Sequence, residues 1–163
     1  MLRKPFAPFF LLCLLVFSSV LWAQRVRYVI DGDTFILENN QRVRMVGINA
    51  PEIRHRKYGK KSEPYGKEAK QYLTRLIQHK DVTLKSGSEE FDRFGRRLAY
   101  VYLPDGTFVN RRLVEEGYAE TFQKFPFSHK EEFLALEQKA RAEKRGMWAK
   151  KKSWSDRFAE FFR

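Results

Sequence analysis

Five polar residues, spread over three short segments, have the types that attack on a phosphodiester requires. Asp33 closes the turn Asp31-Gly32-Asp33, Arg44 stands in a run that ends at Asn49 and Glu52, and Arg96 follows Phe94-Gly95. Hydrolysis of such an ester needs a cation on a non-bridging oxygen, a positioned water, and donors for the charge that builds on phosphorus. One carboxylate for a metal, one for the water and two guanidiniums make a complete set, and the planar fork of arginine suits bidentate contact with phosphate. Asp-Gly-Asp alone reads as a turn and lacks the further ligands of an EF-hand loop, so the inference rests on the segments jointly.

The elements that must position these residues can be read from the apolar pattern. Val26, Tyr28 and Ile30 alternate with polar residues, Thr34 to Leu37 forms a second strand, and Asn39-Asn40 turns the chain into a third strand from Gln41 to Ile48. Asparagine tolerates the positive φ of such a turn. After Pro51 comes a basic stretch from Ile53 to Pro64, then Ala69, Tyr72, Leu73, Leu76 and Ile77 at helical spacing. Val82 and Leu84 begin a fourth strand, Ser86 to Glu90 reads as a loop, and Arg97 to Leu103 is a fifth strand. A short helix over Val109 to Val114 closes at Gly117, and Ser128 with Glu131 forms a capping box for a last helix through Lys144. Three strands, a helix, two strands and two helices suit a five-stranded barrel of the oligonucleotide-binding (OB) type with helices packed outside, a mainly β, α+β class.

Composition sets the context. Arg3 and Lys4 precede an apolar run from Pro5 to Trp22 that ends at Ala23, the layout of a signal peptide, with a retained membrane anchor as the alternative. Export, to the periplasm or the exterior, is therefore expected. Cleavage after Ala23 also removes Cys13, the lone cysteine, so the remaining chain has neither disulfides nor a thiolate metal site. What remains, residues 24–148 followed by a tail over 149–163, is one domain in size. A formal charge of +12 across 163 residues makes polyanions the natural partners without choosing between nucleic acid and an acidic membrane surface. The tail adds Trp154, Phe158, Phe161 and Phe162 on one helical face amid lysines, a second possible membrane contact. The basic residues between Arg54 and Lys61 suit either a phosphate-tracking loop or a solvated one. His55, His79 and His129 have no metal-ligand spacing and read as surface residues; Tyr100, Tyr102, Phe133 and Leu136 read as core, and Trp148 as packing the last helix onto the barrel.

Three motifs in order carry a resemblance: Val29-Ile30-Asp31-Gly32-Asp33-Thr34, then Arg44 through Ala50-Pro51-Glu52, then Asp92 through Tyr100. Together with Asp105-Gly106, Val109-Asn110, Leu113 to Ala119 and Gly146-Met147-Trp148, they make the chain from about Val26 to Trp148 similar to the staphylococcal nuclease (thermonuclease) family. The resemblance implies an OB barrel with three helices and calcium-dependent cleavage of DNA and RNA to 3′-phosphate products. It also implies that Asp33, Asn49 and the carbonyl of Ala50 bind Ca²⁺, that Glu52 activates or orients the water, and that Arg44 and Arg96 grip the phosphate. Arg93, Phe94, Phe122 and Phe125 are then expected to contact nucleic acid. Two departures stand out. Asn49 replaces the family's usual aspartate and brings no charge, and Phe122 and Phe125 stand where tyrosines are common, keeping ring stacking but not phenolic hydrogen bonds. The rival from another class is a non-catalytic nucleic-acid-binding barrel, which the same fold supports.

Overall fold

Alternation in the N-terminal half closes into a barrel. In the computed structural model, which describes residues 23–53 and 62–149, β1 (Gln24–Val29), β2 (Thr34–Leu37) and β3 (Arg42–Met45) form an antiparallel meander. A short β4 (Ile48–Asn49) follows, then α1 (Gly66–Ile77), β5 (Asp81–Phe91) and β6 (Arg97–Tyr102). β6 lies parallel to β3 and antiparallel to β5, and β5 returns to β1, giving a closed barrel in the order β1-β2-β3-β6-β5. α2 (Val109–Glu115), β7 (Glu120–Thr121), α3 (Lys130–Ala142) and a 3₁₀ turn at Gly146–Trp148 complete the described chain. Five closed strands and three helices bear out the OB-type, α+β expectation. The leader, residues 54–61 with His55, and the tail from 150 onward lie outside the described residues, as do the expectations that rest on them.

The inward-facing residues of the strands, Val26, Phe35, Leu37, Val43, Met45 and Val101, are buried. Leu73 and Ile77 press α1 against them, burying the face that helical spacing marks. Asn110 is fully buried on α2 and ties that helix to the barrel: its Oδ1 accepts from Val101 N (2.9 Å) and its Nδ2 donates to Val46 O (2.8 Å). Tyr100 and Phe133 are core as expected.

The structure departs from the sequence reading at four places. β5 runs through Ser86 to Glu90, where a loop is expected; its residues there are mostly exposed, so no alternation marks the strand. The third expected strand stops at Met45, and Ile48–Asn49 pairs instead with Glu120–Thr121 in a separate two-stranded sheet. α3 begins after His129 with no side-chain cap, because Ser128 has its N–H on the Tyr100 hydroxyl (3.3 Å) and lies one residue too early for the box. His129 is half-buried among Tyr100, Phe108 and Phe133 rather than a plain surface residue. Trp148 packs under the Arg141 guanidinium, 3.5 Å from its ring centroid, and against the Gly117 turn.

Candidate active site

Asp33 is fixed by the turn that precedes it and by the strand register. The Asp31 carboxylate accepts from Asp33 N (3.1 Å), and Met45 N donates to Asp33 O (2.9 Å), which sets the start of β2 beside β3. Gly32 has to be glycine because a Cβ there would lie 2.5 Å from the Ala50 methyl and 2.8 Å from that of Ala69. That close approach brings β2, the residue after β4 and the first turns of α1 to one point. Asp33, only 5 % exposed, accepts on Oδ2 from Ala50 N (2.8 Å) and on Oδ1 from the Thr34 hydroxyl (2.9 Å) and from the Arg44 guanidinium.

Thr34 pairs with Arg44, and Arg44 with Leu98, so the guanidinium leaves the central strand of the barrel toward Asp33 and the start of β6. Its second nitrogen reaches Asn49 Oδ1 and the carbonyl of Ile48, both at 3.3 Å. A cation thus stands between the oxygens of Asp33 and Asn49. Burial above all, with a smaller push from Arg96, brings the Arg44 pKa down to about 10 against the opposing pull of Asp31, Glu52 and Asp92. That one set of influences brings Arg44, Arg96, Glu52 and two aspartates within electrostatic reach of each other.

Arg96 is aimed by Asp92. The turn between β5 and β6 folds over the Asp92 carboxylate, whose Oδ1 accepts from Phe94 N (2.9 Å) and Arg96 N (3.0 Å), while Oδ2 accepts from Arg96 Nε (2.7 Å). Burial would raise the Asp92 pKa, but these hydrogen bonds and the Arg96 charge overcome it and hold the carboxyl below the ordinary range. The Glu52 backbone is pinned by Glu63: its N–H donates to Glu63 Oε2 (3.0 Å) and its carbonyl accepts from Glu63 N (2.9 Å).

Asp33, Arg44, Asn49 and Ala50 are therefore joined by direct contacts, and Glu52 and Arg96 by charge. The expected nucleic-acid contacts fall in two groups. Arg93 lies over the Phe94 ring at 4.8 Å, with Arg96 at 5.5 Å, and Phe94 is 66 % exposed. Phe122 and exposed Phe125 sit 5.9 Å apart just past β7, where Phe122 N donates to Gly47 O (2.9 Å) beside β4. Sequence reasoning left Asp92 and Asp31 without roles, although an aspartate three residues before a glycine turn is a signal for a side chain that caps its own turn.

No three His, Cys, Asp or Glu side chains converge among the described residues, so a metal here would have one charged ligand, Asp33, with neutral oxygens from Asn49 and Ala50. An all-oxygen set of low charge fits a hard cation of the calcium class that takes its remaining ligands from water and substrate. The Arg44 guanidinium holds these same Asp33 and Asn49 oxygens, so a metal there would take its place on them.

Comparison with known proteins gives the family. The family described as Staphylococcal nuclease homologue matches residues 42–150, more than half of the chain. The chain belongs to the staphylococcal nuclease family. It is 35% identical over 129 residues to the Thermonuclease of Staphylococcus hyicus, covering 77% of this chain and 75% of that protein. An Uncharacterized endonuclease of Escherichia coli is 34% identical over 128 residues, covering 77% of this chain and 76% of the relative. Endonuclease YhcR of Bacillus subtilis is 34% identical over 131 residues but is matched over only 11% of its own length. Family membership accounts for the barrel, and these relatives support a nuclease function for it.

Proposed function

We propose that this staphylococcal-nuclease-family chain is a divalent-metal-dependent nuclease that hydrolyses the phosphodiester bonds of both DNA and RNA, cutting within the strand and leaving 3′-phosphates. The observation that carries the proposal is Arg44, buried at cost to its own charge between Asp33 and Asn49, with the Asp92-anchored Arg96 and Glu52 within its electrostatic reach. Two guanidiniums beside a carboxylate suit a site for a pentacoordinate phosphorus, where a barrel that only bound nucleic acid has no use for Glu52.

Arg44 and Arg96 each present a planar fork of donors from a different strand end, and both would donate to oxygens of the phosphate as its charge rises. Glu52, its backbone fixed by Glu63, would accept the proton of the attacking water. Ca²⁺ held by Asp33, Asn49 and the Ala50 carbonyl would supply Lewis-acid polarisation of a phosphate oxygen. All these contacts are to phosphate, which supports action on either sugar. Phe94, Phe122 and Phe125 offer ring faces to the neighbouring bases. The leader supports a site of action outside the cytoplasm, which N-terminal sequencing of the mature protein tests.

The deciding measurement is cleavage of fluorogenic DNA and RNA in Ca²⁺, Mg²⁺, Mn²⁺ or EDTA, with Glu52→Gln and Arg96→Ala alongside. Cleavage abolished by EDTA and reduced at least a hundredfold in both variants is expected. Cleavage that survives EDTA, or none by the wild type in any metal, overturns the proposal.

A further inference from the structure

α1 carries a second cationic surface that the catalytic cluster does not use. Lys67, Lys70, Gln71, Thr74 and Arg75 fall on one side of the helix and, with Ile53, line a groove of about 490 Å³. That volume lies within the range of sites that take ligands, about 300–1,000 Å³. Several other surface arginines stand beside carboxylates: Arg25 with Asp81 (3.7 Å), Arg111 with Glu132 (3.0 Å) and Arg112 with Glu116 (3.3 Å). Among the described residues no carboxylate lies within salt-bridge distance of Lys67, Lys70 or Arg75, and the helix holds one acid, Glu68, at the edge of this face. Three cations lining one groove without a counter-charge cost repulsion unless an anion joins them.

The helix that carries the groove abuts the site. Gly66, at the start of α1, packs on the Glu52 carbonyl, which a Cβ there would approach to 2.6 Å, and Ala69 packs on the Asp33 turn through Gly32. Ile53, the floor of the groove, directly follows Glu52. A strand whose scissile phosphate sits at Arg44 and Arg96 carries further phosphates on either side of it, and a cationic face on the helix that abuts the site suits them.

We propose that the Lys67, Lys70, Arg75 face of α1 is a phosphate track that holds the single strand flanking the scissile bond, so that the protein favours polynucleotides over short fragments. This rests on the nuclease reading of the site, and the experiment separates the two. In the full-length chain carrying Glu52→Gln, to keep substrate intact, binding of a labelled 20-nucleotide single strand and of a dinucleotide is followed by fluorescence anisotropy across a NaCl series. The triple change Lys67→Gln, Lys70→Gln, Arg75→Gln is compared with the triple Lys70→Arg, Lys67→Arg, Arg75→Lys, which keeps every charge.

The neutral triple is expected to weaken 20-mer binding about a hundredfold in 0.1 M salt and to flatten the log–log salt slope by about 2, since each single-strand phosphate contact contributes roughly 0.7. Dinucleotide binding should hold within twofold, and the charge-retaining triple should match the parent. An unchanged slope overturns the track, as does equal loss on both ligands. A track that serves acidic membranes instead would show the neutral triple losing co-sedimentation with phosphatidylglycerol vesicles while 20-mer binding is kept, which also overturns it. Wild-type protein that cleaves normally beside an unchanged slope refutes the track alone. A changed slope beside inert wild type leaves the track standing and refutes the nuclease.

Discussion

Position 49 holds an amide where the resemblance leads one to expect a carboxylate, and the structure shows what that neutrality does. Asn49 Oδ1 accepts from Arg44 at 3.3 Å but offers no charge against the burial that brings Arg44 down to about 10. Asn49→Asp would add a second anion to a metal set that now has one, and ligand charge sets calcium affinity. We expect the Ca²⁺ midpoint for thermal stabilisation, measured without nucleic acid, to fall about tenfold, or ~1.4 kcal/mol. An unchanged midpoint would remove residue 49 from the ligand set. Asp92 gives a second test at this scale. Its folded pKa is depressed, so its anchoring of Arg96 contributes stability above the ordinary carboxylate range and loses it as pH falls through the folded value. Asp92→Asn should therefore lower activity about tenfold at neutral pH, and the melting-temperature gap between it and wild type should close in acid. A gap independent of pH would show that the carboxylate's charge is not what holds Arg96.

Among the elements, the least conspicuous strand bears most directly on the site. β4 is held by β7, and Thr121 N of β7 donates to the buried carboxylate of Glu137 (2.8 Å), which is in turn gripped by Arg141 at 2.7 and 2.9 Å. α3 thus reaches Asn49 through a two-residue strand pair. Glu137→Ala leaves a buried N–H without its acceptor, which costs about 1–3 kcal/mol, and should loosen calcium binding as β4 shifts. Chemical denaturation and the calcium midpoint read the two effects; lost stability with an intact midpoint would confine Glu137 to a structural role. None of this was legible in the sequence, because two-residue strands carry no periodicity and Glu137 looks like any helix-surface acid. The same blindness hid the second half of β5, exposed on both sides from Ser86 to Glu90 apart from half-buried Gly87. What could be read was whatever is half-buried and repeats: the meander, α1 and β6. The candidate residues were legible for other reasons: chemistry calls for the types of Asp33, Arg44, Glu52 and Arg96, while Asn49 and Ala50 came from the resemblance, and Asp33, Arg44, Asn49 and Ala50 do meet. Asp92 escaped notice because its work is done on another side chain.

At the scale of the whole molecule, the last described turn is locked back onto the end of α2. Gly117 turns out of α2 at φ +71, a conformation that suits glycine, and any Cβ there would collide with the Arg145 carbonyl. Into that opening fits the final 3₁₀ turn, with Met147 N donating to Gly117 O (2.9 Å) and Trp148 stacked under Arg141. Arg141 also holds Glu137, so the last described turn is connected to the β4–β7 pair through one guanidinium. The boundary between what the fold needs and what it does not should therefore lie after Trp148. Deleting Ser153 to Arg163 is expected to leave the melting temperature within 2 °C (roughly a ΔΔG below 0.5 kcal/mol) and activity on naked DNA within twofold. Replacing half-buried Trp148 by alanine in the full chain should cost about 1–3 kcal/mol, below the range for a fully buried tryptophan. If the deletion instead destabilises the protein as strongly as Trp148→Ala, the aromatic tail belongs to the fold. If it leaves stability alone but abolishes binding to acidic vesicles, the tail is the membrane contact, and the catalytic barrel is then the part that works in solution.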